Sequence, residues 1–214
     1  MMLLAAVLGF AVGWHSGSVT LGLLAGVLTG LLASLIFAAL AIGLVANQYA
    51  AGLALTLFGG GLSAFIGIGY VGQPLAAAPA PVLSGLAELP FIGPALFRLH
   101  PVAWFAVALA AAVGWFLART RAGLALRAIG EAPEAAHAIG LPVRRARLAA
   151  VAFGGACCGL AGAYLSLVHT PLWTEGMVAG RGWIALALTA FATWRPGRVV
   201  LGAWLFGGVT MLQF

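Results

Sequence analysis

The sequence predicts an all-α fold, a polytopic transmembrane helix bundle of about six to seven membrane segments, one of them discontinuous. Three observations carry this. Hydrophobic residues make up 64% of the 214 and charged residues only 7%, where a soluble domain is about one quarter charged. Mean hydropathy is +1.13, and residues 1–87 hold no Asp, Glu, Lys or Arg at all. No soluble fold of this size hides so much Leu, Ala, Val and Phe, because a globule always leaves much of its surface facing water. A bilayer removes the conflict.

A spanning helix needs about 20 apolar residues. Candidate spans are 1–14, 20–45, 50–70, 101–118, 148–169, 182–194 and 199–214. The connections carry turn residues: His15, Ser16, Gly17 and Ser18, then Asn47 and Gln48, then a Pro-rich stretch over 73–100, and later Arg195, Pro196, Gly197 and Arg198. The run 20–45 is long enough to include a kink or an interfacial turn. Segment 1–14 rises only ~21 Å as a helix, short of the ~30 Å hydrocarbon core. Together with the apolar run that reaches Phe214, this gives the expectation that the chain is a piece of a longer protein. It reads as a single transmembrane domain over 1–214.

Small residues recur at helical spacing: Gly9, Gly13 and Gly17; Gly22, Gly26 and Gly30; Gly155 and Gly159. Helices in lipid are not driven together by a hydrophobic force, so such faces supply close backbone packing. The adjacent Cys157 and Cys158 read as small residues of a helix interface, since neighbouring thiols make a strained disulfide and no zinc set.

Arginine placement sets sidedness. The segment 119–147 holds Arg119, Arg121, Arg127, Arg144, Arg145 and Arg147 against Glu131 and Glu134, a net of +4. The loop 195–198 adds Arg195 and Arg198. Elsewhere Glu88 balances Arg98, and Glu175 balances Arg181. Two spans separate the basic loops, so both emerge on one side, and basic loops stay in the cytoplasm. Parity then places 73–100 and 170–181 outside. The expected location is the cytoplasmic (inner) membrane of a bacterium, with a multi-pass topology.

The charge inventory also excludes chemistry. Ten Arg and four Glu stand with no Lys and no Asp. A phosphate-binding loop needs Lys, and its magnesium site normally needs Asp. This chain is therefore not expected to be an enzyme, and any ATP and Mg belong to another chain. The arginines form no face interleaved with aromatics, so nucleic acid is not an expected partner. His15, His100, His137 and His169 lie in four separate segments, which gives no expectation of a metal site. An intramembrane protease or lipid transferase would need a Ser–His pair, paired Asp or a metal cluster, and an ion-coupled transporter would place carboxylates in its spans. All four Glu fall in loops.

Within 119–147 a short helix is legible at 133–139. Pro133 suits the first helical position, and Glu131 and Glu134 favour the positive end of the helix dipole. Ala135, Ala136 and Ala138 are strong helix formers. Gly140 supplies a left-handed cap, and Pro142 blocks continuation. So short a helix is marginal alone in water and needs a surface to pack against.

Polar and aromatic groups near lipid depth default to function. On that ground Trp173, Glu175, Arg181 and Trp183 in the outer segment are candidates for the solute pathway, with Glu175 and Arg181 a possible ion pair and the tryptophans alternatively interface anchors. Span 182–194 is too short to cross as a helix, which suits a discontinuous element facing a cavity. Asn47 and Gln48 are a second pair, read first as a helix cap and second as a gate.

Glu134-Ala135-Ala136 followed by Gly140 resembles the EAA motif of ABC importer permeases, the coupling helix that fits a cleft on the ATPase. The flanks are more specific. Thr120-Arg121-Ala122-Gly123-Leu124-Ala125-Leu126-Arg127-Ala128-Ile129-Gly130-Glu131 before it, and Gly154-Gly155 with Gly162-Ala163-Tyr164-Leu165-Ser166 after it, are similar to the branched-chain amino acid and simple-sugar permease family. The stretch from Thr170 through Trp173, Glu175, Gly180, Arg181 and Trp183, with Trp194-Arg195-Pro196-Gly197-Arg198, resembles its nucleoside and simple-sugar branch. The resemblance covers most of the chain, most strongly 47–58 and 119–214. It implies a permease subunit of an ABC importer for a small polar solute, a nucleoside or simple sugar, with a branched-chain amino acid as the alternative. It implies as partners an ATPase subunit, a second permease subunit forming a homo- or heterodimer, a periplasmic or lipoprotein substrate-binding protein, and membrane lipid. It assigns ATPase coupling to Glu131, Pro133, Glu134, Ala135, Ala136 and Gly140. In such permeases further sequence precedes and follows the part seen here.

Overall fold

The computed structural model describes residues 1–75 and 100–212. Most of the Pro-rich connection over 73–100, with Glu88 and Arg98, lies outside them. Nine α-helices are described: α1 Met2–Ser16, α2 Val19–Ala38, α3 Gln48–Gly67, α4 Pro101–Arg119, α5 Arg121–Glu131, α6 Pro133–Ala138, α7 Val143–Tyr164, α8 Arg181–Phe191 and α9 Pro196–Met211. Two of them run on into π-turns, α2 over Ala39–Gly43 and α7 over Leu165–His169, while Ile68–Tyr70 adds a 3-10 turn to α3. No strand is formed among the described residues, only two isolated bridges. Four helical segments are long and apolar enough to cross a membrane: Val19–Gly43, Gln48–Tyr70, Pro101–Arg119 and Val143–His169. Met2–Ser16 and Arg181–Phe191 are apolar but shorter.

The chain forms two compact units, one from residues 1–75 and 140–179, the other from 100–139 and 180–212. In the first, α1, α2 and α7 pack as a three-helix bundle, and glycine is what lets them approach. A Cβ on Gly9 would stand 2.9 Å from the Ala163 Cβ and 3.0 Å from the Gly22 carbonyl oxygen. One on Gly22 would stand 2.7 Å from the Gly9 oxygen. On α7, Gly155 meets Ser34, Gly159 meets the Gly26 oxygen and Gly162 meets the Met2 oxygen, each too close for any side chain. The contact pairs run α1 and α7 parallel, with α2 antiparallel to both. Cys158 is exposed and Cys157 half-buried, so the close contact belongs to the glycines flanking them.

Three hydroxyls are buried in this unit, and each finds an acceptor, as burial in an apolar interior demands. Ser34 Oγ donates to Leu31 O at 2.7 Å, Ser63 Oγ to Gly60 O at 2.8 Å, and Ser166 Oγ crosses to Ala6 O at 2.8 Å. The apolar core around them gathers Val7, Phe10, Ala163, Leu167 and Trp173.

The connections follow the turn residues. Gly17 ends α1 in the left-handed region at φ +62°, conformational space that glycine enters without penalty. Asn47 caps α3, its Oδ1 accepting from the backbone N–H of Tyr49 at 2.9 Å and Ala50 at 3.3 Å. The anticipated irregularity of the run 20–45 is the π-turn at its end, after which Val45 takes φ +53°.

In the second unit, α4 turns into α5 at Thr120. Its Oγ accepts from Gly123 N at 3.0 Å and donates to Phe116 O at 2.7 Å. Any side chain on Gly123 would run into the Phe116 carbonyl. A Cβ on Gly114 would lie 3.6 Å from Pro196 Cβ, so the end of α4 and the start of α9 adjoin. Arg119, Arg195 and Arg198 therefore share one end of this unit, as charge parity requires. In the first unit Arg144 reaches Gly43 O, whereas His15 meets Tyr70 at the opposite end. Each unit thus has a basic end.

Gly159→Val should destabilise the bundle by at least ~1–3 kcal/mol, the usual range for overpacking, while Gly154→Ala, which faces open space, should be neutral. Thermal unfolding in detergent, followed by residual folded monomer, checks both.

Candidate functional site

The sequence placed a short helix at 133–139, and α6 occupies Pro133–Ala138. It is bounded by two backbone breaks. Glu131 is the last residue of α5, Ala132 turns out at φ −140° and ψ 80°, and Pro133 starts α6. Beyond it Gly140 takes φ +85°, a value that would strain any residue with a Cβ. The residues to which the sequence reading assigns coupling, Glu131, Pro133, Glu134, Ala135, Ala136 and Gly140, lie within ten residues of continuous chain.

Its faces differ. Ala136 is buried at 3% exposure and seats the helix on its own unit. Glu134, Ala135, His137 and Ala138 are exposed, and Ile139 is 76% exposed. An acidic group beside small and branched apolar side chains is a surface suited to docking. Ile139 was absent from the sequence-derived set; it lies past the motif's alanines, and only its exposure singles it out.

The 119–147 segment is more structured than a loop. Its first part is α5, which buries Gly123 and Ile129 and exposes Leu124 with the arginines. Its last part already belongs to α7, so Arg144, Arg145 and Arg147 stand on the first turns of a spanning helix.

The pathway candidates divide between the two units, and those in the first unit stand apart from one another. Asn47 and Gln48 are exposed at the basic end of the first unit, and Asn47 serves as the cap described above. Trp173 and Glu175 lie at the opposite end of that unit. Arg181 and Trp183 open α8 in the second unit, where Trp183 is 77% exposed.

Trp173 is enclosed, at 1% exposure. Its ring fills the space that a side chain on Gly67 would need, and its Nε1–H has no acceptor among the described residues. In this conformation the ring presents no exposed face for stacking on a solute. Around it the neutral end is tied together: Val71 bridges to Trp173 and Pro74 to Leu172, and Leu75 N donates to Pro171 O at 2.9 Å. His15 Nε2 and Tyr70 Oη share a hydrogen bond of 3.0 Å, and Phe10 lies edge-on to Tyr70 with centroids 6.1 Å apart. This rim joins residues 55 or more positions apart, so no local spacing could signal it.

Comparison with known proteins matches residues 1–213 to the family described as the permease component of the branched-chain amino acid transport system. The chain belongs to that permease family. It is 42% identical over 217 residues to the putative glucose ABC transporter permease protein TsgC13 of Haloferax volcanii, covering 100% of this chain and 66% of the relative. It is 35% identical over 208 residues to the guanosine ABC transporter permease protein NupQ of Bacillus subtilis, covering 94% of this chain and 63% of that one. With the nucleoside ABC transporter permease protein NupC of Lactococcus lactis it shares 34% over 146 residues, 68% of this chain and 43% of the relative. The chain thus spans about two thirds or less of the length of these relatives. No solved structure matches it significantly. Family and apolar helices together make this a multi-pass membrane protein.

Trp173→Ala should cost ~3–5 kcal/mol, as for other enclosed large side chains, whereas Trp173→Phe should cost much less, because the indole N–H makes no bond among the described residues that would be lost. Unfolding midpoints of the two variants in detergent check this.

Proposed function

We propose that the chain is the membrane-spanning permease subunit of an ABC importer. It carries a small polar solute, a nucleoside or simple sugar, inward across the cytoplasmic membrane on ATP hydrolysed by a partner. The observation that carries this reading is α6: a helix of six residues ended by a left-handed Gly140, too short to be stable alone, holding Glu134, Ala135 and Ile139 outward on a segment flanked by arginines. Family membership supports it, and so does the lack of Lys and Asp, which leaves phosphate-loop ATP chemistry to another chain.

The mechanism follows from the connections. Closure of two ATPases moves α6 as a rigid body. At its C-terminal side the chain passes through Gly140 into α7, and at its N-terminal side through Glu131 into α5. Displacement of α6 is thereby delivered to two helices at once, rocking the spans between outward- and inward-open states. A second permease copy or homologue completes the pathway, and a periplasmic or lipoprotein binding protein delivers solute at the neutral end. Alongside the four long spans, α1, α8 and α9 serve as further membrane segments, with the 11 residues of α8 forming the discontinuous one. Exposed Trp183, Arg181 and Glu175 are the pathway residues retained.

The nucleoside and simple-sugar reading is preferred to branched-chain amino acids because the relatives carry glucose, nucleoside and guanosine in their names. Uptake of radiolabelled nucleosides, simple sugars and branched-chain amino acids by the intact complex separates these.

Glu134→Arg reverses the charge on the exposed face of α6 without touching buried Ala136. It should lower ATP-dependent uptake by about tenfold or more, the effect of losing a single contact worth ~1.4 kcal/mol, while membrane insertion and monomer stability stay as in the parent. Undiminished uptake would remove α6 from the coupling path.

A further inference from the structure

At the basic end of the first unit, a groove of about 660 Å³ opens between the end of α2 with its π-turn and the start of α7. Ala38, Ala39, Ile42 and Leu148 wall it, and Arg144 and Arg145 are its charged lining residues. The small side chains of Ala38, Ala39 and Gly43 leave the space open. Leu44, also on its lining, is 74% exposed. Arg144 donates from Nη2 to Gly43 O at 3.4 Å, a long bond to a neutral acceptor that leaves its charge uncompensated. Within this unit the sequence supplies a single carboxylate, Glu175, and it lies beyond the far end of α7.

We propose that this groove binds an acidic phospholipid, the phosphate held by Arg144 and Arg145 and an acyl chain laid along Ala38, Ala39, Ile42 and Leu148. Three features favour a lipid over a protein carboxylate. The walls are apolar, so an occupant must be amphiphilic to use both parts of the site. The groove lies at the end of a 25-residue apolar segment, which at ~1.5 Å per residue is long enough to place that end at the membrane surface. Basic pockets between spanning helices on the cytoplasmic side suit anionic headgroups, and that leaflet is the one that carries them. Arg147, on the same turns of α7, does not line the groove and stays available to another partner. The assignment depends on the membrane and its sidedness and not on which solute is carried, so lipid retention reads it separately from uptake.

The test uses the intact transporter with its ATPase, reconstituted in a mixture of phosphatidylcholine and phosphatidylglycerol, purified, and analysed by native mass spectrometry for retained lipid. Phosphatidylglycerol should be retained in preference to phosphatidylcholine and should resist displacement by inorganic phosphate. The double variant Arg144→Gln with Arg145→Gln should lower its retention about thirtyfold, as expected for losing two cationic contacts to a lipid headgroup. Ala39→Phe fills the groove while keeping both arginines and should lower retention similarly, which keeps the proposal testable if the double variant fails to fold. Equal retention of the two lipids, or undiminished phosphatidylglycerol in either folded variant, would overturn the proposal. So would release by inorganic phosphate, which would mark a site for a free anion. Loss of the ATPase with phosphatidylglycerol still bound would assign the arginines to protein docking instead.

Discussion

Everything else in the first unit depends on how closely α1, α2 and α7 approach one another. Lipid tails are as apolar as leucine, so helices in a bilayer gain no hydrophobic energy by meeting. What holds them is dispersion and polar contact at short range, which requires backbones within touching distance. Gly9, Gly22, Gly26, Gly30, Gly155, Gly159 and Gly162 provide that distance, several of them facing a carbonyl with no room for a methyl group. The one buried hydroxyl that crosses between these helices, from Ser166 to Ala6 O, is possible only because the backbones are this close. The bundle in turn fixes the ends. It sets α2 against the start of α7 at the basic end and brings the segment after α7 to the end of α3 at the neutral one.

The constraint bears on where the proposed sites fall, at helix ends. A glycine-packed core has little freedom to rearrange locally, since interiors at close packing transmit strain rather than absorb it. Movement is then left to connections. Gly140 adopts a left-handed backbone beside α6, and the non-glycine residues Val45, Thr193 and Trp194 do so in short turns at the basic ends. Such conformations cost of order 1–3 kcal/mol each and persist where surrounding structure holds them. At Thr193 the hold is visible: its Oγ accepts from Arg198 Nη1 at 2.9 Å.

Much of this was legible from residue type alone. The glycines at helical spacing marked the packing faces except Gly17, which with Asn47 marks a turn, and arginine counting placed Arg119 with Arg195 and Arg198. Proline at the start and glycine after the end bracketed α6 to within a residue. These are local signals, each acting within a turn or two of chain. What stayed hidden was either non-local or averaged out. Trp173 reads as an interfacial aromatic until Gly67, more than 100 positions earlier, encloses it. The α5 helix was lost inside a stretch judged by its charge, because its buried residues, Gly123 and Ile129, are too few for an apolar stripe. The π-turns that end α2 and α7 have no composition of their own. For the candidate site, the short helix at 133–138 was readable because its signals are contiguous, while the proposed pathway residues were picked one by one because apolar spans do not announce which face lines a cavity.

The central claim is that α6 is the surface on which an ATPase docks. Disulfide crosslinking measures this directly, with Cys157 and Cys158 replaced by Ser and a single cysteine placed at Ala135, at Ile139 or, as a control at the neutral end, at Thr174. In membranes containing the whole transporter, with a cysteine at the matching cleft of the ATPase, positions 135 and 139 should form a covalent permease–ATPase adduct that position 174 does not. Adducts from position 174 but from neither position on the α6 side would contradict the account.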